Sequence, residues 1–412
     1  MKNMSLLFFI VFLLLFSFKV FNFLDLSILV LILVASNVIF VNKKNFFIYS
    51  DIRIIFYFLL GSIIYTGMIS IFNGGIEYIW FLKMTKTLIL SFLIFCLAFY
   101  LNIKRFTYND IMKVIVISVI THSIVIYLNI SFDAFREIIY SITGYQPRGP
   151  EWSRSPGLTI SFNSTSIVHM FALYLLIFYF KQKSIIRIIA FITILPSVFF
   201  LGRFITYIAL VMIIIGLIIK LLLDRKYKLF FPGLMIIMFF TYILNLNVSS
   251  LDLNNKLDQI LFNVSHFTEP LKSIGDSGGV DNYSQETLDS HLYISDEWST
   301  VIFGNSFSGH IGIVGGKGET DSDLGFINSI NANGIILTSL IYLLYLFIIY
   351  RSYILKYDWK SIFFIVVLTL ALSFKETGLF TSSATPLLFL VYFFQIISKE
   401  KLLSIQNKQR IL

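Results

Sequence analysis

Twelve long apolar stretches run through this chain of 412 residues, and they restrict the kind of fold it can adopt. Hydrophobic residues make up 57% of the sequence and charged residues only 13%, whereas charged residues make up about 25% of a soluble domain. One helical crossing of a bilayer needs about 20 consecutive apolar residues. The stretches lie at residues 5–23, 24–41, 54–72, 87–101, 111–130, 165–180, 185–201, 204–223, 229–247, 327–350, 361–374 and 379–397. The sequence therefore predicts an all-α membrane protein, a polytopic bundle of about twelve transmembrane helices in a single domain, 1–412.

Lysine and arginine are concentrated in alternate connections between these stretches. Counted by connection, 21 of the 32 basic residues lie on one side and ten on the other, with Lys19 inside the first stretch. Connections rich in lysine and arginine stay in the cytoplasm. Both termini are therefore predicted to be cytoplasmic, and the two long connections, 131–164 and 248–326, are predicted to face outward.

The larger of these connections, 248–326, is strongly acidic. It holds 12 of the 23 acidic residues, three lysines and no arginine, so its net charge is −9 while the rest of the chain carries +18. A basic chain can bind nucleic acid, but here the basic charge is spread over the cytoplasmic connections, so no nucleic acid partner is expected. Apolar residues at helical spacing predict an amphipathic helix over 253–267. Long ordered loops are commonly functional, so both outward connections are candidate sites.

The shorter outward connection carries two arginines close to the next apolar stretch. Arg148, Glu151 and Arg154 lie within seven residues and precede a small polar segment, 161–165. Arginine suits oxyanions because its planar fork donates paired hydrogen bonds and keeps its proton. A lipid diphosphate approaching from the outer leaflet would need such a clamp. The alternative is that these arginines pair with Glu151 or extend toward lipid headgroups.

Arg203 lies between two apolar stretches at a predicted outward corner. A charge near membrane depth is costly and points to a function by default. The neighbouring Gly202 is consistent with a tight corner that directs Arg203 toward a cavity. The alternative reading is an anchor at the membrane interface.

The end of the acidic connection offers candidates for a general base. His310, Asp321 and Asp323 lie where the chain returns to the membrane, and histidine and carboxylates are the usual proton acceptors in catalysis. A surface role for His310 remains an alternative. Glu319 with the two aspartates could instead bind a cation, although their spacing does not match the calcium-loop pattern.

Three polar residues inside apolar stretches are interpreted as structural. His122, His169 and Asn163 are expected to pack or to form hydrogen bonds between helices. The one cysteine, Cys96, lies within a stretch, which leaves no disulfide framework and no thiolate metal site. The chain has no glycine-rich phosphate loop after a strand. No cofactor and no resident metal are expected.

Three short motifs resemble those of the bacterial O-antigen polymerase family, Wzy, and more distantly the O-antigen ligases of the same membrane superfamily. The first is RSPGL at 154–158, followed by Asn163, which looks like the arginine-bearing outer loop of the family. The second is LGRF at 201–204, which looks like its short arginine corner. The third runs from IFG at 302–304 through TDSDLGF at 320–326 to NGI at 333–335. The aspartate in Asp-Ser-Asp departs from the family pattern, where an aromatic residue or glycine is usual.

The resemblance implies a glycosyltransferase that joins repeat units linked to polyprenyl diphosphate at the periplasmic face of the bacterial inner membrane. Growing O-antigen or a related surface polysaccharide would leave its lipid carrier and pass to a hydroxyl of the incoming unit. Arg148, Arg154 and Arg203 are then the expected diphosphate-binding residues. His310, or one of Glu151, Asp321 and Asp323, is the expected base. A protein that regulates chain length is an expected partner in such systems.

Two other functions fit a similar topology. A ligase-type enzyme would transfer the glycan to another acceptor, and the sequence around His310 lacks a clear His-(Asn/Ser)-x-Gly signature expected for it. A flippase would carry the lipid-linked unit across the membrane. Transporters commonly contain two comparable halves, and here the outward polar residues lie in two unequal connections instead.

Overall fold

The computed structural model describes residues 3–16, 19–20, 24–42, 49–72, 79–143, 157–159, 162–180, 185–201, 203–223, 298–305, 325–373 and 384–411. Within these residues the regular secondary structure is helical apart from one pair of two-residue strands. The elements are α1 (Met4–Leu15), β1 (Lys19–Val20), β2 (Leu24–Asp25), α2 (Leu26–Asn42), α3 (Ser50–Phe72), α4 (Ile79–Ile103), α5 (Tyr108–Ser131), α6 (Asp133–Thr143), α7 (Phe162–Tyr174, continued by a π-helix over Leu175–Tyr179), α8 (Ile185–Phe199), α9 (Arg203–Leu223), α10 (Trp298–Phe303), α11 (Gly325–Ile354), α12 (Trp359–Leu372) and α13 (Ala384–Ile411).

The described helices have the length and apolarity of membrane-spanning segments. Four are long and apolar enough to cross a bilayer, at Ser50–Phe72, Trp80–Ile103, Tyr108–Ser131 and Phe326–Ile354, and seven shorter helices are also apolar. Large side chains such as Phe40, Phe72 and Ile185 are exposed by more than three quarters. Water would penalise such a surface, whereas lipid does not. The all-α membrane character is therefore confirmed in the described residues, and the number of about twelve spans stays a prediction.

The chain folds into two compact units, Met1–Ser118 with Ser290–Leu412 and Val119–Asp289. In the first unit α13 is the central helix, because residues 384–397 are all buried and α13 packs on α4 and α12. Aromatic rings fill this core. The centroid of the Phe393 ring lies 6.4 Å from that of Phe56, in a stacked pair, and 6.1 Å from that of Phe95, in an edge-to-face pair. In the second unit α7 packs against α8 and α9.

Several predicted stretches differ from the helices in their bounds, among them the first, the fourth and the twelfth, which was predicted over 379–397 and is helical over Ala384–Ile411. The first was predicted over 5–23, but α1 ends at Leu15 and the antiparallel strands β1 and β2 follow. In their register, Lys19 lies opposite Asp25. The fourth was predicted over 87–101, but α4 begins at Ile79. The helix tolerates the charge of Lys83 because its ammonium lies 4.5 Å from the centroid of the Trp80 ring, an attractive cation–π contact. The ninth predicted stretch, 229–247, lies outside the described residues, as does the predicted helix over 253–267.

The connection 131–164 contains a helix that was not predicted from the sequence. Helix α6 is the most amphipathic helix described, with Asp133 and Glu137 exposed and Ile139 buried. Arg136 pairs with Asp133 at 2.7 Å, one turn away. A short amphipathic helix between two apolar ones fits the plane of the membrane interface.

Two corners in the first unit share one unusual backbone geometry. Arg105, two residues after the end of α4, has φ 60°, and Lys356, two residues after the end of α11, has φ 53°. In each corner the next N–H donates to the carbonyl five residues earlier, at 3.0 Å and 2.9 Å respectively. Glycine usually occupies this left-handed position, and a side chain there costs about 1–2 kcal/mol. A basic residue at a helix C-terminus recovers part of that cost because it interacts favourably with the helix dipole.

The same two corners each begin the next helix with a side-chain cap. Thr107 and Asp110 exchange hydrogen bonds at 2.8 Å and 3.2 Å at the start of α5. Asp358 accepts the N–H of Ser361 at 3.4 Å at the start of α12. The hydroxyl of Tyr108 donates to Asp358 at 3.3 Å. The two corners are therefore tied together at one end of the first unit.

A partly buried ion pair joins α3 to α11. The Nε of Arg351 donates to both carboxylate oxygens of Asp51 at 3.0 Å, and its Nη2 donates to Oδ1 at 2.7 Å. The side chain of Asp51 is 6% exposed and that of Arg351 is 29% exposed. The pair lies at favourable helix ends, since Asp51 is in the first turn of α3 and Arg351 is in the last turn of α11.

Candidate functional site

Most of the predicted catalytic side chains lie outside the described residues. This applies to Arg148, Glu151 and Arg154 in the connection 131–164 and to His310, Asp321 and Asp323 in the connection 248–326. Arg203 is the first residue of α9, where its backbone is described but its side chain is not. The described site therefore consists of the segments that border these residues.

The end of the first arginine-bearing motif, RSPGL at 154–158, contacts the buried side chain of His122. Gly157, Leu158 and Thr159 are all buried, and the N–H of Leu158 donates to Nε2 of His122 on α5 at 3.2 Å. Gly157 has φ 64°, and a Cβ atom there would lie 2.5 Å from the same imidazole nitrogen and 3.2 Å from Ile126. Only glycine can bring the backbone this close to His122 in this conformation.

His122 begins a chain of buried hydrogen bonds between three helices. Its Nδ1 lies 2.9 Å from Nε2 of His169 on α7, and Nδ1 of His169 lies 2.9 Å from Oγ of Ser197 on α8. Ser197 lies 2.9 Å from the hydroxyl of Ser123 and donates to the carbonyl of Ile194 at 2.7 Å. We refer to His122, His169, Ser197 and Ser123 as the buried histidine chain. It confirms the expectation that the two histidines bond helices to each other.

The direction of the bonds made by the two imidazoles follows from their first donor. Leu158 offers an N–H, so Nε2 of His122 accepts and the proton of a neutral ring is on Nδ1. His122 therefore donates to His169, whose proton is also on Nδ1 and is donated to Ser197. Both nitrogens of each ring are engaged. An added proton would place two N–H groups against each other, so this geometry requires both rings to be neutral.

The second arginine-bearing motif reaches the same part of α7. The hydroxyl of Thr206, one turn after Arg203, lies 2.7 Å from that of Ser166. The hydroxyl of Thr159 lies 2.7 Å from that of the adjacent Thr165. These hydroxyls are buried, where a satisfied hydrogen bond between helices fixes their relative position. The segments after Arg154 and after Arg203 thus meet at neighbouring residues of α7.

The corner before Arg203 is packed as well as hydrogen-bonded. Phe200 and Leu201 are buried against Ile126 on α5, with Tyr127 and Ile130 beside them. The hydroxyl of Tyr127 also donates to the carbonyl of Thr193 at 2.5 Å. The residues shortly before the helix that bears Arg203 are therefore packed on α5. Asn163, the second residue of α7, has no described side chain.

The third motif forms a tight contact in the first unit. The IFG segment at the end of α10 packs on the NGI segment of α11. Each segment contains one glycine with a positive φ angle, Gly304 at 85° and Gly334 at 70°. Asn305 N–H donates to the carbonyl of Asn331 at 2.9 Å. A Cβ atom on either glycine would overlap the backbone of the opposite segment. Helix α11 is broken at Gly334, where ψ is 166°.

At the break in α11, a buried asparagine side chain has no hydrogen-bond partner among the described residues. Asn333 is 0% exposed, and both polar atoms of its side-chain amide have no hydrogen-bond partner in the described part of the protein. The hydroxyl of Thr338 donates to the carbonyl of Ser329 at 2.9 Å across the break. Tyr65 on α3 donates to the carbonyl of Phe303 at 3.1 Å. Broken helices at membrane depth are tolerated where protein or a cavity surrounds them.

The buried histidine chain could not be identified from the sequence as the support of the first motif. His122 and Gly157 are 35 residues apart, and the Pro156-Gly157 pair indicates a turn but not what it contacts. In the described residues, no group of three histidine, cysteine or acidic side chains could hold a metal ion. The described side chains supply positioning and hydrogen bonds rather than charge.

We expect Gly157→Ala to destabilise the protein by about 2–4 kcal/mol, because it adds left-handed strain and a collision with His122. The free energy of unfolding in detergent is the measurement. In a His122→Ala background the same substitution should cost clearly less, since the colliding imidazole is gone. Equal costs in both backgrounds would show that Gly157 does not depend on His122.

The chain was compared with protein-family models, with curated proteins and with solved structures, and none of the three comparisons finds a match.

Proposed function

We propose that this protein is a glycosyltransferase that polymerises oligosaccharide repeat units carried on polyprenyl diphosphate. Its product would be O-antigen or a related surface polysaccharide, made at the periplasmic face of a bacterial inner membrane. The motif resemblance and the predicted topology motivate the proposal. The membrane character of the described helices is consistent with a lipid-linked substrate.

One observation carries the proposal: both arginine-bearing motifs continue into segments that meet on α7. Thr159 bonds to Thr165, and Thr206 bonds to Ser166. Arg154 precedes Thr159 by five residues, which reach at most about 18 Å when extended. Arg203 precedes Thr206 by less than one helical turn. A diphosphate carries several negative oxygens, and two such arginines can contact it together.

The chemistry that we propose is a single displacement at an anomeric carbon. A hydroxyl oxygen of the incoming unit forms a bond to the anomeric carbon of the growing chain while the bond to the diphosphate oxygen breaks. The diphosphate leaves with the electron pair, and the hydroxyl proton passes to a base. Arg148, Arg154 and Arg203 would stabilise the developing negative charge. His310, Glu151, Asp321 or Asp323 would accept the proton.

The donor brings its own activation in the diphosphate bond. No nucleotide and no cofactor are needed, and a chain-length regulator is the further partner that the proposal includes. Ligase-type transfer and a flippase are the competing functions. They predict different intermediates in a strain that lacks the gene: single repeat units on the surface for a polymerase, lipid-linked polymer for a ligase, and units facing the cytoplasm for a flippase.

The decisive experiment complements such a deletion strain with arginine variants. Removing one positioned donor typically lowers a rate by about 100- to 1000-fold, so Arg154→Ala and Arg203→Ala should leave single repeat units in place of long polymer. Lysine at either position should restore little, because it cannot make paired contacts. The measurement is the length distribution of surface polysaccharide, with the amount of inserted protein quantified in parallel.

The matched control is Arg136→Ala. Arg136 lies in the same outward connection but already pairs with Asp133, so this variant should keep normal polymer length. Normal long chains in both Arg154→Ala and Arg203→Ala, with normal insertion, would remove the diphosphate clamp. Lipid-linked polymer in the deletion strain would replace the polymerase with a ligase.

A further inference from the structure

An open cavity lies at the corner between α11 and α12. Its volume is about 520 Å³, and it is lined by Tyr353, Ile354, Lys356, Tyr357 and Trp359. The Tyr353 and Trp359 rings meet edge to face at 5.7 Å. Tyrosine and tryptophan are typical of the boundary between lipid and water. The cavity therefore lies at one rim of the membrane-spanning helices, which the distribution of basic residues predicts to be the cytoplasmic rim.

Two lysines bring positive charge to this cavity. Lys356 lines it, and Nζ of Lys399 on α13 lies 4.9 Å from the centroid of the Tyr357 ring. In the described residues neither forms an ion pair. An anion bound in the cavity would be attracted by both positive charges.

Two carboxylates described in the first unit, those of Asp51 and Asp358, already accept hydrogen bonds. Asp51 is held by three hydrogen bonds from Arg351. Asp358 accepts hydrogen bonds from the Ser361 hydroxyl at 2.5 Å and from the Tyr108 hydroxyl at 3.3 Å. The positive charge beside the cavity is therefore not cancelled from within these corners.

Lys356 holds a left-handed backbone position where glycine would fit without strain. Arg105 has the same geometry at the neighbouring corner but does not line the cavity. Equivalent substitutions at Lys356 and Arg105 therefore distinguish a change in the turn, which both corners share, from a change in the cavity, which only Lys356 lines.

We propose that this cavity binds the phosphate headgroup of an anionic phospholipid. A pocket of several hundred Å³ suits a ligand larger than a bare phosphate ion. The surface next to it is apolar and exposed, with Tyr350, Ile354 and Phe363 each at least 40% exposed, and can accept acyl chains. Basic pockets between helices on the cytoplasmic side are suited to acidic headgroups. This inference does not rest on the proposed glycan chemistry.

The test titrates the purified full chain in a neutral detergent with phosphatidylglycerol, phosphatidylcholine or inorganic phosphate. The midpoint of thermal unfolding is followed. We expect phosphatidylglycerol to raise the midpoint in a saturable way, and the other two to have little effect. Lys356→Gly and Lys399→Gln should each raise the half-saturating lipid concentration about fivefold, and the double variant about 25-fold.

Lys356→Gly is a clean variant because glycine suits the left-handed position, so the turn should remain intact. Arg105→Gly is its matched control, since it also removes one positive charge and the same strain, and it should leave the half-saturating concentration unchanged. An equal loss in Arg105→Gly would reduce the effect to general surface charge. Equal stabilisation by inorganic phosphate, or by phosphatidylcholine, would also overturn an anionic-lipid site.

Discussion

Gly334→Ala is expected to destabilise the protein by about 3–5 kcal/mol. Two effects add. With φ 70° and ψ 166°, the residue is in a region that only glycine occupies comfortably. A Cβ atom would also overlap the backbone of Ile302 and Phe303, and backbone cannot move aside as a flexible side chain can. Helix α10 would have to separate from α11, which breaks the bond from Asn305 to Asn331.

The free energy of unfolding in mixed micelles measures this effect, together with the fraction of protein that inserts. Gly304→Ala should behave in the same way, because its Cβ would overlap the backbone at Ala332 and Asn333. Gly61→Ala is the control, since nothing lies within 4 Å of its added Cβ in α3, and it should be neutral or slightly stabilising. If Gly334→Ala were as stable as Gly61→Ala, the contact between α10 and α11 would be wrong.

Asp51→Ala is expected to cost about 3–5 kcal/mol, because it leaves the guanidinium of Arg351 partly buried without its carboxylate. The contact between α3 and α11 would loosen at the end where the pair lies. The unfolding midpoint and the free energy of unfolding are the measurements. The paired substitution Asp51→Asn with Arg351→Gln should recover part of the loss, since it removes both charges.

The exposed pair between Asp133 and Arg136 is the control for this prediction. Asp133 is 79% exposed, and such surface pairs contribute about 0–1 kcal/mol. Asp133→Ala should therefore have a small effect. If Asp51→Ala were equally mild, water would have to reach the Arg351 pair and the buried geometry would be incorrect.

The positions of the apolar helices could be predicted because lipid requires long unbroken apolar runs. Their ends were harder to predict, since they depend on contacts between distant residues. The sequence interpretation started α4 late because Lys83 and Lys86 interrupt the run, whereas Trp80 shields the first of these charges. Lys19 was assigned to the first stretch because apolar residues continue to residue 24, although a strand pair ends the helix earlier.

The supports of the candidate site were even less predictable. Each motif was visible as a short segment, but the residues that it contacts are distant in the sequence. Gly157 packs on the His122 ring, and Gly304 packs on the backbone of Ala332 and Asn333. The period of an apolar helix does not reveal which buried histidine faces which. Helix α6 was missed because its mixed charges, Asp133, Arg136 and Glu137, resemble an ordinary polar connection.

The two left-handed corners have a use in protein engineering. Glycine at position 105 or 356 should stabilise the turn by up to about 1 kcal/mol, so a natural protein that keeps arginine and lysine at both positions forgoes that gain.

The buried histidine chain also bears on energy coupling. A proton wire must be able to accept a proton at one end and release one at the other. Among the described bonds of this chain, the first is donated by the amide of Leu158, which keeps its hydrogen. At the far end the hydroxyls of Ser197 and Ser123 donate to the carbonyls of Ile194 and Val119, which have no proton to release. These bonds therefore fix the positions of three helices.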